Sequence, residues 1–198
     1  MPALFYCYKT TQRYVTIGKT ILILVIDNTK LRGRTDMSKQ VKQVRINAPK
    51  EKVWEILADF GGVANWAPTI TSAHLLADAN GDVGARRMCG HISGAAIEEV
   101  ITEWEEGEYY SYEMTTSLGP VKTLLNTWAV RAEGNDTVIT LTQDFNMRFG
   151  PLGLLMIPMA KMMMGKEMKL ALAGLKHHVE TGQVIERDHP GLPVAAVA

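Results

Sequence analysis

Between residues 70 and 147 the chain alternates, run after run, between side chains that favour burial and side chains that favour water. The runs cover about 70–77, 84–92, 95–104, 108–116, 121–132 and 137–147. Short clusters of turn formers separate them: "DANGD" at 78–82, "SG" at 93–94, "EEG" at 105–107, "LGP" at 118–120 and "EGND" at 133–136. Gly, Asn and Asp tolerate the left-handed backbone of tight turns, and connections this short join antiparallel neighbours. Six such runs in succession predict a meander. "VKQVRIN" at 41–47 adds a strand before them. In between, "NAPKEKVWEILADF" reads as a helix. Asn47 is its expected cap, Pro49 lies in the first turn, and Val53, Trp54, Ile56 and Leu57 make its apolar stripe. Gly61 and Gly62 stop it, and "VANWAPTI" reads as a second short helix or turn that brings Trp66 and Pro68 together.

The chain then closes with one long helical segment, 150–182, of about 30 residues. From Met164 onward, Met164, Met168, Ala171, Leu172, Leu175 and Val179 keep helical spacing and mark a sheet-facing side. Ahead of Gly165 the segment is apolar nearly all round and carries Met156, Met159, Met162 and Met163. An antiparallel sheet of this size has one face to cover, and a helix laid across it leaves a hollow wherever the sheet curls. Unbranched methionines repack around apolar groups of different shape, and Gly153, Pro158, Gly165 and Gly174 weaken or bend the segment. Three readings stay open for the methionine-rich half. It is a movable wall at a cavity entrance, ordinary core with a surface patch or homodimer contact, or a place of transient membrane contact. It is not a membrane span, because no apolar run reaches about 18 residues. The longest are "ILILVI" at 21–26 and "LLMIPMA" at 154–160, the second broken by Pro158.

Charge and composition narrow the classes of function. The 21 basic and 21 acidic residues cancel, which gives no footprint for nucleic acid. Cys7 and Cys89 stand far apart, so neither a disulfide framework nor a zinc site is expected, and the cytoplasm is the plain reading. The histidines (His74, His91, His177, His178 and His189) lack metal-site spacing; His177 and His178 fall on the polar side of the closing helix. No metal and no cofactor are expected. Residues 1–36 differ from the rest, holding six of the basic and only two of the acidic residues. Met37 reads as a natural start with an upstream extension before it; an added strand at "TILILVI" and a targeting piece are the alternatives. The expected organisation is an extension at 1–36, one ligand-binding domain at 37–182 and a loose tail at 183–198.

The string "APKEKVWEILADFGGVANWAPTI" resembles the opening of START-like, Bet v 1-like (SRPBCC) proteins, in particular the polyketide cyclase/dehydrase branch. Ala48-Pro49, Val53-Trp54, Leu57, Asp59-Phe60, Trp66 and Pro68 carry the match. "GARRM" at 84–88, "EEVITEW" at 98–104, "GPLG" at 150–153, "AGLK" at 173–176 and Val179-Glu180 extend it over about 41–182. The resemblance implies an α+β helix-grip fold. In it, a curved antiparallel sheet of about seven strands wraps around a long C-terminal helix, with two short helices after the first strand. It also implies an internal cavity for a small hydrophobic molecule of lipid, polyketide or isoprenoid type. Lipid carriers, receptors, cyclases and dehydratases share this scaffold, so an enzyme of cyclase/dehydratase type is the alternative to a binding module.

Site residues depend on one hairpin. With "SG" as a two-residue turn, opposed residues have numbers summing to 187 and share a face. One face then holds Arg87, Cys89, His91, Glu98, Val100 and Trp104; the other holds Arg86, Met88, Ile97, Glu99 and Ile101. Hydrophobicity alone turns the isoleucine face inward. The resemblance implies the opposite, since a branch similar to plant lachrymatory-factor synthases aims an arginine and a glutamate into the cavity. These fall on Arg87 and Glu98. That pair reads either as a surface ion pair or as an anchor and proton-transfer pair, and a slip of one residue reverses every assignment. His91 is either a solvated loop histidine or a ligand contact. Tyr110, Tyr112 and Met114 alternate as core or cavity lining. Trp66, with Met156, Met159, Met163, Met164 and Met168, completes the expected ligand-binding set.

Overall fold

The computed structural model describes residues 12–17, 20–25, 37–76, 81–115 and 119–185. Cys7, His189, most of the "DANGD" turn, the residues leading up to Met37 and the tail beyond Ile185 lie outside the described residues. The chain divides into two units. In the first, β1 (Gln12–Ile17) and β2 (Thr20–Val25) pair antiparallel as a two-stranded sheet, so "TILILVI" contains a strand.

The second unit holds the rest. Its elements in order are β3 (Ser38–Ile46), α1 (Lys50–Ala58), a 3₁₀ turn (Phe60–Asn65), β4 (Ile70–Leu75), β5 (Arg86–His91) and β6 (Ala96–Glu105). Then come β7 (Tyr109–Met114), β8 (Val121–Glu133), β9 (Asp136–Met147), α2 (Gly150–Leu154) and α3 (Ile157–Thr181). The seven strands form one antiparallel sheet in the order β3-β9-β8-β7-β6-β5-β4. The expected meander accounts for β4 to β9, and β3 joins beside β9, its last strand. Register shifts between Ile70 and Ser72, Ile101 and Glu103, and Val121 and Thr123 interrupt the ladder. Such irregularities bend a strand and raise its twist, and the sheet curves around α3. This is the helix-grip fold.

The core lies between the curved sheet and the helices. Met168, Leu172, Leu175 and Val179 of α3 are buried against Val44, Ile46, Trp128 and Ile139 of the sheet, as the spacing of the stripe requires. α1 buries Val53, Trp54 and Leu57. Its start differs from the expectation. Pro49 occupies the cap position and no side chain caps the helix, while the Asn47 backbone N–H donates to Glu180 Oε1 at 2.8 Å. Helix α1 ends at Ala58, ahead of the glycine pair, which belongs to the 3₁₀ turn. The closing segment is two helices, not one: it breaks at Leu155–Met156, and α3 has 25 residues. Among the described residues no helix is long and apolar enough to cross a membrane.

The β5–β6 hairpin corrects the register. Arg86 faces Val100, Arg87 faces Glu99 and Met88 faces Glu98, so opposed numbers sum to 186. The cause is the turn. The His91 N–H donates to the Ala95 carbonyl and the Gly94 N–H to the His91 carbonyl, leaving a three-residue loop, Ile92 to Gly94. Gly94 closes it at φ 83, the left-handed position that such loops need and glycine supplies without strain.

Candidate functional site

A cavity of about 180 Å³ lies between the sheet and α3. Its wall is mostly apolar, with Ile97, Tyr112, Leu124, Trp128, Leu141 and Met168 among its residues. Alternation along each strand explains the set. Leu124, Asn126 and Trp128 share the inward side of β8, and Leu141 and Gln143 that of β9. Asn126 and Gln143 are directly opposed, so two carboxamides stand side by side on an otherwise greasy surface. Gln143 Oε1 accepts from Gln40 Nε2 at 3.3 Å.

Arg87 and Glu99 form a buried ion pair in the same wall. Arg87 Nε donates to Glu99 Oε2 at 2.6 Å, and Nη2 lies 2.6 Å from the same oxygen. Nη1 donates to the Phe60 carbonyl at 2.6 Å. The guanidinium lies over the Phe60 ring, 3.9 Å from its centroid, and 5.2 Å from that of Tyr112. Side-chain exposures of 2% and 7% place both charges out of bulk water. Burial by itself lowers the Arg87 pKa, but the Glu99 carboxylate and then the Tyr112, Cys89 and Tyr110 side chains more than offset it, so the net shift is upward. The Cys89 thiol, 3.8 Å from Glu99 Oε2, is pushed up to about 12 by burial and then by Glu99. It is therefore a protonated thiol, not a nucleophile. Among the described residues all these contacts converge on Oε2.

The expected site residues fall into two groups. Arg87, Trp66, His91, Tyr112, Met114, Met164 and Met168 line the cavity. The others do not. Glu98 lies on the outer face, where Arg86 Nε and Nη2 donate to its Oε1 at 2.8 and 2.6 Å and Thr115 Oγ1 donates to Oε2 at 3.1 Å. Those bonds, from Arg86 first, hold its carboxyl below the usual range. Tyr110 is buried beneath the wall, stacked between Trp104 and Tyr112. Met156 is half-buried outside the wall, and Met159 and Met163 are turned to solvent. His177 and His178, expected on the polar side of the helix, are both half-buried, and the His178 Nδ1–H donates to the Gln183 carbonyl at 2.6 Å. Glu99, Asn126, Gln143 and Glu167 were not anticipated. The signal for two of them was legible, since Asn126 and Gln143 are polar residues at inward-facing positions of alternating strands.

The family described as polyketide cyclase / dehydrase and lipid transport matches residues 37–180. The chain belongs to this family. Solved structures share the fold of this polyketide cyclase/dehydrase-type protein. A START superfamily protein from Mycobacterium smegmatis superposes with a TM-score of 0.61 at 17% identity, over 73% of this chain and 99% of that one. A protein from Nitrosospira multiformis gives 0.59 at 20% identity, over 73% and 98%. The di-domain ARO/CYC BexL from the BE-7585A biosynthetic pathway gives 0.60 at 19% identity, over 73% of this chain and 47% of that one. No curated protein sequence matches the chain. Among the described residues of this family member, no cluster of His, Cys, Asp and Glu could hold a metal ion. The cavity wall is mostly apolar and carries the ion-paired Glu99, Glu167 beside His91, and the carboxamides of Asn126 and Gln143.

Proposed function

We propose that the protein binds one compact apolar molecule that carries a hydrogen-bond donor. The observation behind this reading is Glu99 Oε1, an oxygen of a buried carboxylate in a mostly apolar wall, whose described protein contacts all fall on its other oxygen. An ionised carboxylate only accepts, so the complementary group on the guest is a hydroxyl, enol or N–H. Volume sets the size. About 180 Å³ is close to the roughly 150 Å³ that takes a benzene ring and below the roughly 300 Å³ at which drug-sized sites begin. A single-ring polyketide fragment or a short isoprenoid matches that space. A long acyl chain requires the α3 wall at Met164 to move outward.

A second reading, proton transfer of the cyclase/dehydratase type, draws on the same oxygen. Arg87 Nε, Nη1 and Nη2 each have a protein partner, so Arg87 is the counter-ion and not the group that meets substrate. Glu99, in place of Glu98, would accept a proton from an acidic C–H or O–H.

One experiment separates the two. Titration of a one-ring phenol and a cyclic 1,3-diketone is followed by Trp66 and Trp128 fluorescence, and exchange of the diketone's acidic C–H in deuterated buffer by NMR. Ala171 lines the cavity, so Ala171→Phe fills it and should weaken binding at least tenfold. Glu99→Gln keeps the shape; under the second reading it retains diketone binding and loses the accelerated exchange. Equal binding by parent and Ala171→Phe removes the cavity as the site. Absence of accelerated exchange by the parent leaves a binding protein only.

A further inference from the structure

Helix α2 and the first turns of α3 turn large apolar side chains toward solvent. Leu152, Leu154, Leu155, Met159, Met162 and Met163 are each more than half exposed, reaching 77% at Leu155 and 72% at Met162. Phe149, in the left-handed region at φ 70 just before α2, adds an exposed ring. Seven of the twelve exposed large hydrophobic residues among those described thus fall within 149–163. Scattered exposed apolar residues need no explanation, but a contiguous patch does.

The surroundings of this patch are basic. Arg148, Lys161, Lys166 and Lys169 stand against one acidic residue, Glu167, over residues 148–169. Glu167 itself lies 3.9 Å from His91 Nε2 at the cavity. Among the described residues none of the four cations is paired with a carboxylate. Met159, Met162, Lys166 and Lys169 are separated by three, four and three residues, which places them along one stripe of α3. The stripe is apolar at its beginning and cationic at its end.

We propose that this face docks on an anionic lipid surface, with the leucines and methionines at the acyl boundary and the lysines among the phosphates. An amphipathic helix with apolar and basic sides lies in the plane of a bilayer interface, and lysines close to an anionic leaflet add to its binding. A second copy of the chain fits poorly. A two-fold contact through this face brings the same four cations together. On the inner side of the same turns, Met164, Glu167 and Met168 line the cavity, so the docking face backs directly onto the cavity wall. Docking and cavity binding are separable, because the outward residues do not touch the hollow.

The test is co-sedimentation of the full chain with vesicles of phosphatidylcholine alone and of phosphatidylcholine mixed with phosphatidylglycerol, at low and at physiological salt. The parent should sediment with the anionic vesicles, less so as salt rises. Each lysine near an anionic surface contributes about fivefold, so Lys166→Glu/Lys169→Glu should lower partitioning by tenfold or more. Leu155→Asp/Met162→Asp should abolish it while leaving the circular dichroism spectrum and Ala171-dependent ligand binding as in the parent. No sedimentation of the parent with anionic vesicles overturns the proposal. So does sedimentation of both variants equal to the parent's, or a concentration-dependent dimer that Leu155→Asp/Met162→Asp disrupts while vesicle binding persists.

Discussion

Glu99 receives two nitrogens of Arg87 inside the protein, while Glu98, one residue earlier, meets Arg86 on the outside. The two pairs predict opposite responses to mutation. Removing one partner of a buried pair leaves an uncompensated charge and costs about 3–5 kcal/mol, whereas replacing both by apolar residues is often neutral or stabilising. Urea denaturation should therefore show Glu99→Ala strongly destabilised and Arg87→Met/Glu99→Leu close to the parent. Glu98→Ala should leave the midpoint where it was, since exposed pairs contribute little. Arg87 was legible in the sequence but its partner was not. The family's Gly-x-x-Arg spacing pointed to Arg87, and hydrophobic alternation correctly turned Ile97 and Ile101 inward. A two-residue loop sets these two cues in conflict, and the three-residue loop reconciles them. A second irregularity deepened the conflict. The register slips at Thr102, so Ile101 faces Tyr112 and Trp104 faces Tyr110. Below the slip odd-numbered residues of β6 point inward, and above it the even-numbered Trp104 does. Unbroken alternation running back from Trp104 selects Glu98, the wrong neighbour.

At the scale of the element, the glycines of α3 show what a sequence leaves ambiguous. Gly165 and Gly174 both read as helix-weakening residues. A Cβ on Gly174 would meet the Trp66 carbonyl oxygen at 2.0 Å and Pro68 Cδ at 3.0 Å, whereas one on Gly165 would meet only Gln40 Oε1, at 3.4 Å. Gly174 is a contact point where α3 crosses the chain at Trp66. Gly174→Ala should lower stability by about 1–3 kcal/mol through overpacking. Gly165→Ala should raise it by up to about 1 kcal/mol through helix propensity, and thermal melts of the two variants check both signs. Alternation and turn chemistry place the strands to within three residues, the largest difference being the start of β3 at Ser38. The break at Leu155–Met156 was not seen, because an all-round apolar run carries no phase from which to tell one helix from two. That run also drew Met159 and Met163 into the expected cavity wall, although they face water.

For the whole molecule, the interior around the ion pair links stability to alkaline pH. Burial, then Glu99, pushes the Cys89 thiol up to about 12, and burial raises the Tyr110 and Tyr112 hydroxyls as well. All three stay protonated in the folded chain after the unfolded chain has ionised, so the folded state binds more protons at high pH and stability falls as pH rises. With unfolded thiol and phenol values of about 8.5 and 10, the contribution is complete below pH about 8 and is lost progressively toward pH about 12. The melting temperature should decline above pH about 9, and Cys89→Ala should make that decline shallower. The architecture was legible because seven strand signals and one long closing helix leave few ways to cover a sheet. The content of the hollow was not, since its volume depends on how far the sheet bends. Helix α3 is held unevenly along its length. Its C-terminal half is fastened by Gly174 against Trp66, by Lys176 Nζ on the Arg45 carbonyl at 2.8 Å, and by Glu180 on the Asn47 N–H. Its N-terminal turns are held more loosely, with Glu167 Oε2 3.9 Å from His91 Nε2. A rod pinned at one end swings at the other, so the hollow widens most cheaply by tilting the free end. A guest bound as proposed should then leave past thioether side chains, with the strand ladder closed behind it.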